Sequence, residues 1–150
     1  MPPFRISLII LGFTFNFYAC AQEVTFAPAP GHPIKIETQG SNVKIEEINT
    51  ENNKLIELDT DKAVHIEVDD YNFDGITDFS AWHIDDGMGT YSIYRVFIYD
   101  VKNNDFNEVF PQCGDEFINL KKDQKSQSLL STYFEENIPK TCRTIFKKNK

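Results

Sequence analysis

The amino-acid sequence predicts an all-β protein, an antiparallel twisted meander of short strands with propeller-like or sandwich-like packing. Apolar and polar residues alternate with a period of two along several segments, as they do in half-buried strands. The chain contains 13 Phe and 6 Tyr, which favour sheets over helices. No segment carries the sustained stripe of an amphipathic helix, and 150 residues suit one ordinary domain.

Residues 1–21 have the features of an export signal, so we expect a single β domain over residues 22–150. Arg5 supplies the positive charge, an apolar run follows, and Ala19–Ala21 offers the small residues that a signal peptidase requires. The run is too short for a stable membrane anchor. Cleavage after this segment predicts a soluble periplasmic or secreted protein. The alternative is a lipoprotein lipidated at Cys20, and only then would the chain be held at a membrane.

The first half of the domain alternates between apolar and polar residues. This pattern predicts half-buried strands at Ile34–Ile36, Val43–Ile48 and Val64–Val68, separated by Gly, Asn, Asp and Thr turns. Residues 22–33 precede them and contain three prolines and a glycine. We expect that segment to be an irregular lead-in.

The second half begins with a segment that is apolar on both faces. Residues Tyr91–Val101 contain few polar side chains, which predicts a central strand that is covered on both sides. A polar turn follows, and Phe106–Phe110 is expected to return as the partner strand. Three further short strands are expected at 117–120, 129–134 and 142–146.

The segment from Asp70 to Asp78 carries regularly spaced oxygen donors. Gly75 stands at loop position 6, where the backbone must turn sharply, and Ile76 at position 7 can offer its carbonyl. Hard cations such as Ca²⁺ require this kind of oxygen-rich pattern. We therefore predict one calcium ion, bound by Asp70, Asn72, Asp74, Ile76 and Asp78. The alternative is a hairpin turn rich in Asp and Asn that needs no metal.

The loop differs from an EF-hand in two respects. Position 12 would be Ala81, so the bidentate Glu is missing, and the flanking segments resemble strands rather than helices. Asp78 is thus predicted to be the closing carboxylate. We expect a weak site, with a dissociation constant of roughly 10⁻⁵ to 10⁻³ M.

Two histidines flank this loop on neighbouring predicted strands. If Val68 faces Phe79, then His65 faces Trp82, and the imidazoles of His65 and His83 point to opposite faces of the sheet. This orientation argues against a shared zinc site. No nucleophile motif such as GxSxG is present, and we expect the protein not to be an enzyme.

A glycine-rich segment follows the second of these strands. We predict a protein-binding loop formed by Asp86, Gly87, Met88, Gly89 and Tyr91, because glycine-rich tips with aromatic residues often contact partners. A long hairpin turn without a partner is the alternative. Calcium is expected to stabilise the fold and to present this neighbouring loop.

Cysteines and charge set further bounds. Cys113 and Cys142 are the only cysteines outside the export signal and should form a disulfide in an oxidising compartment, although two unrelated buried thiols are the alternative. The chain has 15 Lys and Arg against 23 Asp and Glu, a formal net charge of −8. An acidic chain of this kind argues against nucleic-acid binding and is compatible with cations or a basic protein as partner.

The segment AVHIEVDDYNFDGITDFSAW, the glycine-rich loop after it and the segment YRVFIYDVKNNDFNEVF resemble the core of periplasmic immunity proteins that protect bacteria against lysozyme-like effectors of type IV secretion. Those proteins show a strand, a D-x-N-F-D-G-x-x-D-[FL] loop and a Tyr-rich strand ending in an Asp-turn-Phe hairpin. The resemblance covers roughly residues 60–110. It implies calcium in the loop and a binding or inhibitor role against a cell-wall hydrolase. The alternative is a calcium-stabilised structural or surface domain with no enzyme target.

Overall fold

The computed structural model describes residues 21–48 and 50–146, and every regular element among them is a β-strand. The all-β prediction is therefore confirmed. The predicted export signal lies outside the described residues except for Ala21, and no described segment is a helix that could span a membrane. The strands are β1 (Glu23–Ala29), β2 (His32–Gln39), β3 (Asn42–Glu47), β4 (Asn53–Glu57), β5 (His65–Asp69), β6 (Asp78–Ile84), β7 (Ser92–Asp100), β8 (Asp105–Val109), β9 (Phe117–Asp123), β10 (Ser128–Glu135) and β11 (Ile138–Thr144).

The strands form two antiparallel sheets. The first sheet is a meander in the order β1-β2-β3-β4, and the second runs β11-β10-β9-β7-β6-β5 with β8 also paired to β7. One sheet curls into a half-barrel. Apolar residues of both sheets share one core, so the packing is sandwich-like.

The shared core follows from the period-two pattern. Ile34 and Ile36 of β2 are buried, while Lys35 and Glu37, which alternate with them, are only partly buried. In the second sheet, the ring of Phe79 stacks on Phe97 at 4.7 Å and meets Phe106 edge-on at 4.8 Å. Each such side chain contributes about 1.5–3 kcal/mol of burial free energy.

A second core lies on the opposite face of the seven-stranded sheet. It contains Tyr71, Val96, Phe117 and Leu129. Because β7 contributes Phe97 to one core and Val96 to the other, the middle of that strand is covered on both sides. This explains why its sequence is apolar at consecutive positions, as predicted.

Two pairing predictions are confirmed. Val68 lies opposite Phe79 and His65 opposite Trp82, which is the expected register of β5 and β6. Cys113 and Cys142 form a disulfide with their Cα atoms 5.7 Å apart, a usual separation for such a bond. The disulfide ties the segment after β8 to β11.

The predicted irregular lead-in at residues 22–33 is wrong, since β1 (Glu23–Ala29) and the start of β2 at His32 cover most of it. Pro28 is tolerated because the register shifts between Phe26 and Ala29 on an edge strand, and prolines fit edges and bulges. The alternation of apolar and polar residues also did not predict β4, in which the apolar Leu55 is 61% exposed. The last strand begins at Ile138, earlier than expected.

Candidate metal loop and glycine loop

The predicted metal loop joins the end of β5 to the start of β6. Its backbone is left-handed at Phe73 (φ 63°) and Gly75 (φ 87°). The glycine adopts this conformation without steric cost, and that is why the sharp turn falls there.

The side-chain oxygens of the loop turn inwards onto its own backbone. Asp70 accepts the N–H groups of Asp74 at 3.2 Å and of Gly75 at 2.9 Å. Asn72 Oδ1 accepts the Asp74 N–H at 3.1 Å, and Asp74 Oδ1 accepts the Ile76 N–H at 2.8 Å. Asn72 Nδ2 also donates to Asp74 Oδ2 at 2.8 Å. Three of the predicted ligand side chains are therefore gathered inside one turn.

Asp78 is placed differently, because its carboxylate is buried and faces the core. It is 0% exposed. One oxygen accepts the N–H of Tyr71 and the other the N–H of Tyr99, both at 2.9 Å. Burial raises the pKa of Asp78 to about 7, although the two backbone hydrogen bonds oppose the shift. The carboxylate thus joins the loop, β6 and β7.

The donor chemistry of the loop fits calcium. Within residues 21–48 and 50–146, no three His, Cys, Asp or Glu side chains are arranged to hold a metal ion by themselves. The predicted site also uses the amide oxygen of Asn72 and the carbonyl of Ile76, so all its donors are oxygens, as Ca²⁺ prefers. A carboxylate oxygen has two lone pairs. The observed N–H bonds therefore leave acceptor capacity on Asp70, Asp74 and Asp78.

Three residues that sequence reasoning missed anchor this loop. Tyr71 is buried, and its hydroxyl lies 2.7 Å from Ser80 Oγ. Lys122 donates to Asp69 at 2.7 Å, and its ammonium group lies 5.2 Å from the ring of Phe73. The aromatic residues at alternate positions of the loop were a signal for this anchoring, whereas Lys122 comes from a distant strand.

The glycine loop is braced by Asp85, which sequence reasoning did not select. The Asp85 carboxylate accepts the N–H groups of Tyr91 at 2.6 Å and Gly89 at 3.3 Å. These bonds hold the pKa of Asp85 below its usual value. Gly87 lies so close that a Cβ there would sit 3.3 Å from the same carboxylate.

Three of the predicted contact residues of this loop have different surroundings. Asp86 accepts hydrogen bonds from the Thr60 hydroxyl at 2.8 Å and the Asp61 N–H at 3.3 Å, so it holds the glycine loop against the segment that contains Thr60 and Asp61. Met88 is 90% exposed. Tyr91 packs edge-on against Phe134 with ring centroids 5.6 Å apart.

The two loops lie at opposite ends of β6. The strand has 7 residues, and at about 3.3 Å per residue they are roughly 20 Å apart. Any influence of calcium on the glycine loop would therefore act along β6 and not through direct contact.

The two histidines lie on opposite faces, as predicted. His65 stacks on Trp82 with centroids 4.4 Å apart. His83, one residue along β6 from that tryptophan, is buried on the other face. The pair therefore forms no shared site.

Comparison with known proteins gives no relative. No protein-family model matches the chain, and no curated protein or solved structure matches it either. The likeness to immunity proteins stays a prediction from the residues.

Proposed function

We propose that this chain is an exported calcium-binding β protein that binds and inhibits a cell-wall hydrolase, as an immunity protein does, and is not itself an enzyme. The observation that carries the binding role is the glycine loop. Asp85 braces its backbone while Met88 stands 90% exposed at its tip. Methionine is enriched at protein–protein interfaces, and loops held by a rigid scaffold often carry binding residues, so this loop suits contact with another protein.

The negative charges of the metal loop support the binding of calcium there. Lys122 pairs with Asp69, but Asp70, Asp74 and Asp78 form no ion pair with any residue in the described part of the chain. Like charges so close together repel one another. A divalent cation would remove that repulsion and would stabilise the turn that precedes β6.

The nature of the partner rests on charge and on the sequence resemblance. A formal net charge of −8 favours a basic protein over nucleic acid. The sequence resemblance to immunity proteins is the reason for proposing a lysozyme-like hydrolase as the partner. No membrane role follows unless Cys20 carries a lipid.

The test is binding and inhibition of purified secreted lysozyme-like hydrolases, beginning with any that is encoded beside this gene. We expect a stable complex and reduced cell-wall lysis, both weakened in Met88→Ser and Gly89→Val. The matched control is Val101→Ser, an exposed apolar residue in the turn after β7, at the end of that strand remote from the glycine loop. No binding to the hydrolase, or equal binding by the variants, would contradict the proposal.

A second candidate is a calcium-stabilised structural or surface domain without an enzyme target. The observation in its favour is that Asp78 bonds into the core, so that the loop supports the sheet itself. This candidate predicts a calcium-dependent melting temperature together with no hydrolase binding.

A further inference from the structure

A cavity opens where two strands share one edge of β7. β8 pairs with the half of β7 from Val96 onwards, and β9 pairs with Ile93 and Tyr94. The two strands part at Arg95, and the space between them has a volume of about 600 Å³. Ligand pockets commonly have volumes of this size.

Much of the wall of this cavity is apolar. Leu58, Ile93, Val109 and Phe117 line it. Phe110 also lines it and is 64% exposed, so an aromatic ring stands in contact with solvent. The cavity therefore suits an apolar stem.

The one arginine in the lining is already satisfied by hydrogen bonds. Arg95 donates from Nε and Nη2 to the two oxygens of Glu108, each at 2.6 Å. Its Nη1 donates to the carbonyl of Glu57 at 2.7 Å. The guanidinium is thus held by the wall and is poorly placed to bind an anion.

Apart from the Tyr94 hydroxyl, which can donate or accept, the remaining polar side chains of the cavity offer acceptors. His83 is 9% exposed, and its Nδ1 donates to the Ile84 carbonyl at 2.9 Å; in the tautomer that carries its proton on Nδ1, Nε2 has a lone pair and can accept. That nitrogen has no hydrogen-bond partner among the residues that the structure describes. Four exposed carboxylates complete the lining, and none forms an ion pair with a described residue; they belong to Glu57, Asp59, Asp115 and Glu116.

We propose that this cavity binds an ammonium or guanidinium group carried on an apolar stem. The group donates to the acceptors, the carboxylates neutralise its charge, and the stem lies against the apolar wall and Phe110. The inference goes beyond the proposed function, because it depends neither on calcium nor on Met88. The cation can be the side chain of a basic protein or a free amine.

The test is an NMR titration of the full mature protein, amide by amide, with n-butylguanidinium, using n-butanol as the uncharged analogue. We expect saturable shifts confined to residues around the cavity, and none with n-butanol. Removing two carboxylates with Asp59→Asn and Glu116→Gln should weaken binding about twofold to thirtyfold, since exposed charge pairs contribute about 0.2–1 kcal/mol each. The matched control, Glu51→Gln with Glu136→Gln, should bind like wild type.

Two further experiments distinguish the possible sources of the cation and test whether the variants keep the fold. An acetylated, amidated peptide with a single Arg should bind more tightly than spermidine if the natural ligand is a protein side chain, and less tightly if it is a free amine. Both variants must keep the wild-type melting temperature, and Met88→Ser must keep butylguanidinium binding even if hydrolase binding is lost. Shifts spread over the whole acidic surface, or equal binding by the cavity variant, would overturn the proposal.

Discussion

Asp78 connects the metal loop to the core, and one substitution isolates its effect. In wild type, the two carboxylate oxygens of Asp78 accept the N–H groups of Tyr71 and Tyr99. Asp78→Asn keeps the shape of the side chain but replaces one of these oxygens with an NH₂ group, which then faces one of the two N–H donors. One hydrogen bond is lost at every pH, at a cost of about 1–3 kcal/mol. The substitution also removes a buried titrating group.

The pH dependence of this group has a definite sign. Burial raises the pKa of Asp78 to about 7 in the metal-free fold, compared with about 3.9 in an unfolded chain. Because the folded state holds the proton more tightly, this contribution to stability is fully present below the unfolded pKa. It is lost as pH rises through 7, by at most about 4 kcal/mol. Calcium would bind the ionised carboxylate and would therefore stabilise more as pH rises.

Urea unfolding of wild type and Asp78→Asn in excess chelator measures this effect between about pH 4.5 and pH 7.5. The stability advantage of wild type over the variant should be largest at the acid end and should shrink towards neutral pH. Asp59→Asn, which removes an exposed carboxylate, serves as the control. The difference in its free energy of unfolding from wild type should stay constant with pH. A constant difference between wild type and Asp78→Asn would refute the reasoning.

Three other predictions concern separate contacts. Cys113→Ser with Cys142→Ser should lower the free energy of unfolding by about 3.5 kcal/mol in the entropic account of loop closure, and reduction of wild type should match it in thermal melts. Lys122→Met should lower stability by about 0.5–1 kcal/mol through loss of the ion pair with Asp69 and the cation–π contact, measured by urea unfolding, while Lys125→Met, in a turn, should not. Met88→Ser should leave the melting temperature unchanged while weakening hydrolase binding, and a lower melting temperature would assign that residue to the fold.

Local patterns predicted the parts of the fold that depend on nearby residues. The register of β5 and β6 follows from alternation and from the length of the loop between them, so His65 was correctly placed opposite Trp82. The disulfide followed from two cysteines and an expected oxidising compartment. The turn at Gly75 followed from its position among oxygen donors.

Contacts between distant segments could not be predicted in this way. Lys122 reaches the metal loop from β9, and no local spacing reports that approach. The sharing of β7 between β8 and β9 depends on where two strands diverge, and this creates the cavity beside Arg95. Pro28 favoured an irregular segment in the sequence, because the bulge that accommodates it is visible only in the pairing of β1 with β2.

Isothermal titration of calcium into chelator-treated protein tests the central claim most directly. We predict a single binding event in wild type, with a dissociation constant of roughly 10⁻⁵ to 10⁻³ M. Asp74→Ala should abolish binding, because it removes one of the predicted ligands. The fold should be kept, since Asp74 is exposed and both backbone hydrogen bonds of Asp78 remain. Glu51→Gln should bind calcium like wild type. No binding in wild type, or equal binding by Asp74→Ala, would contradict a calcium site in this loop.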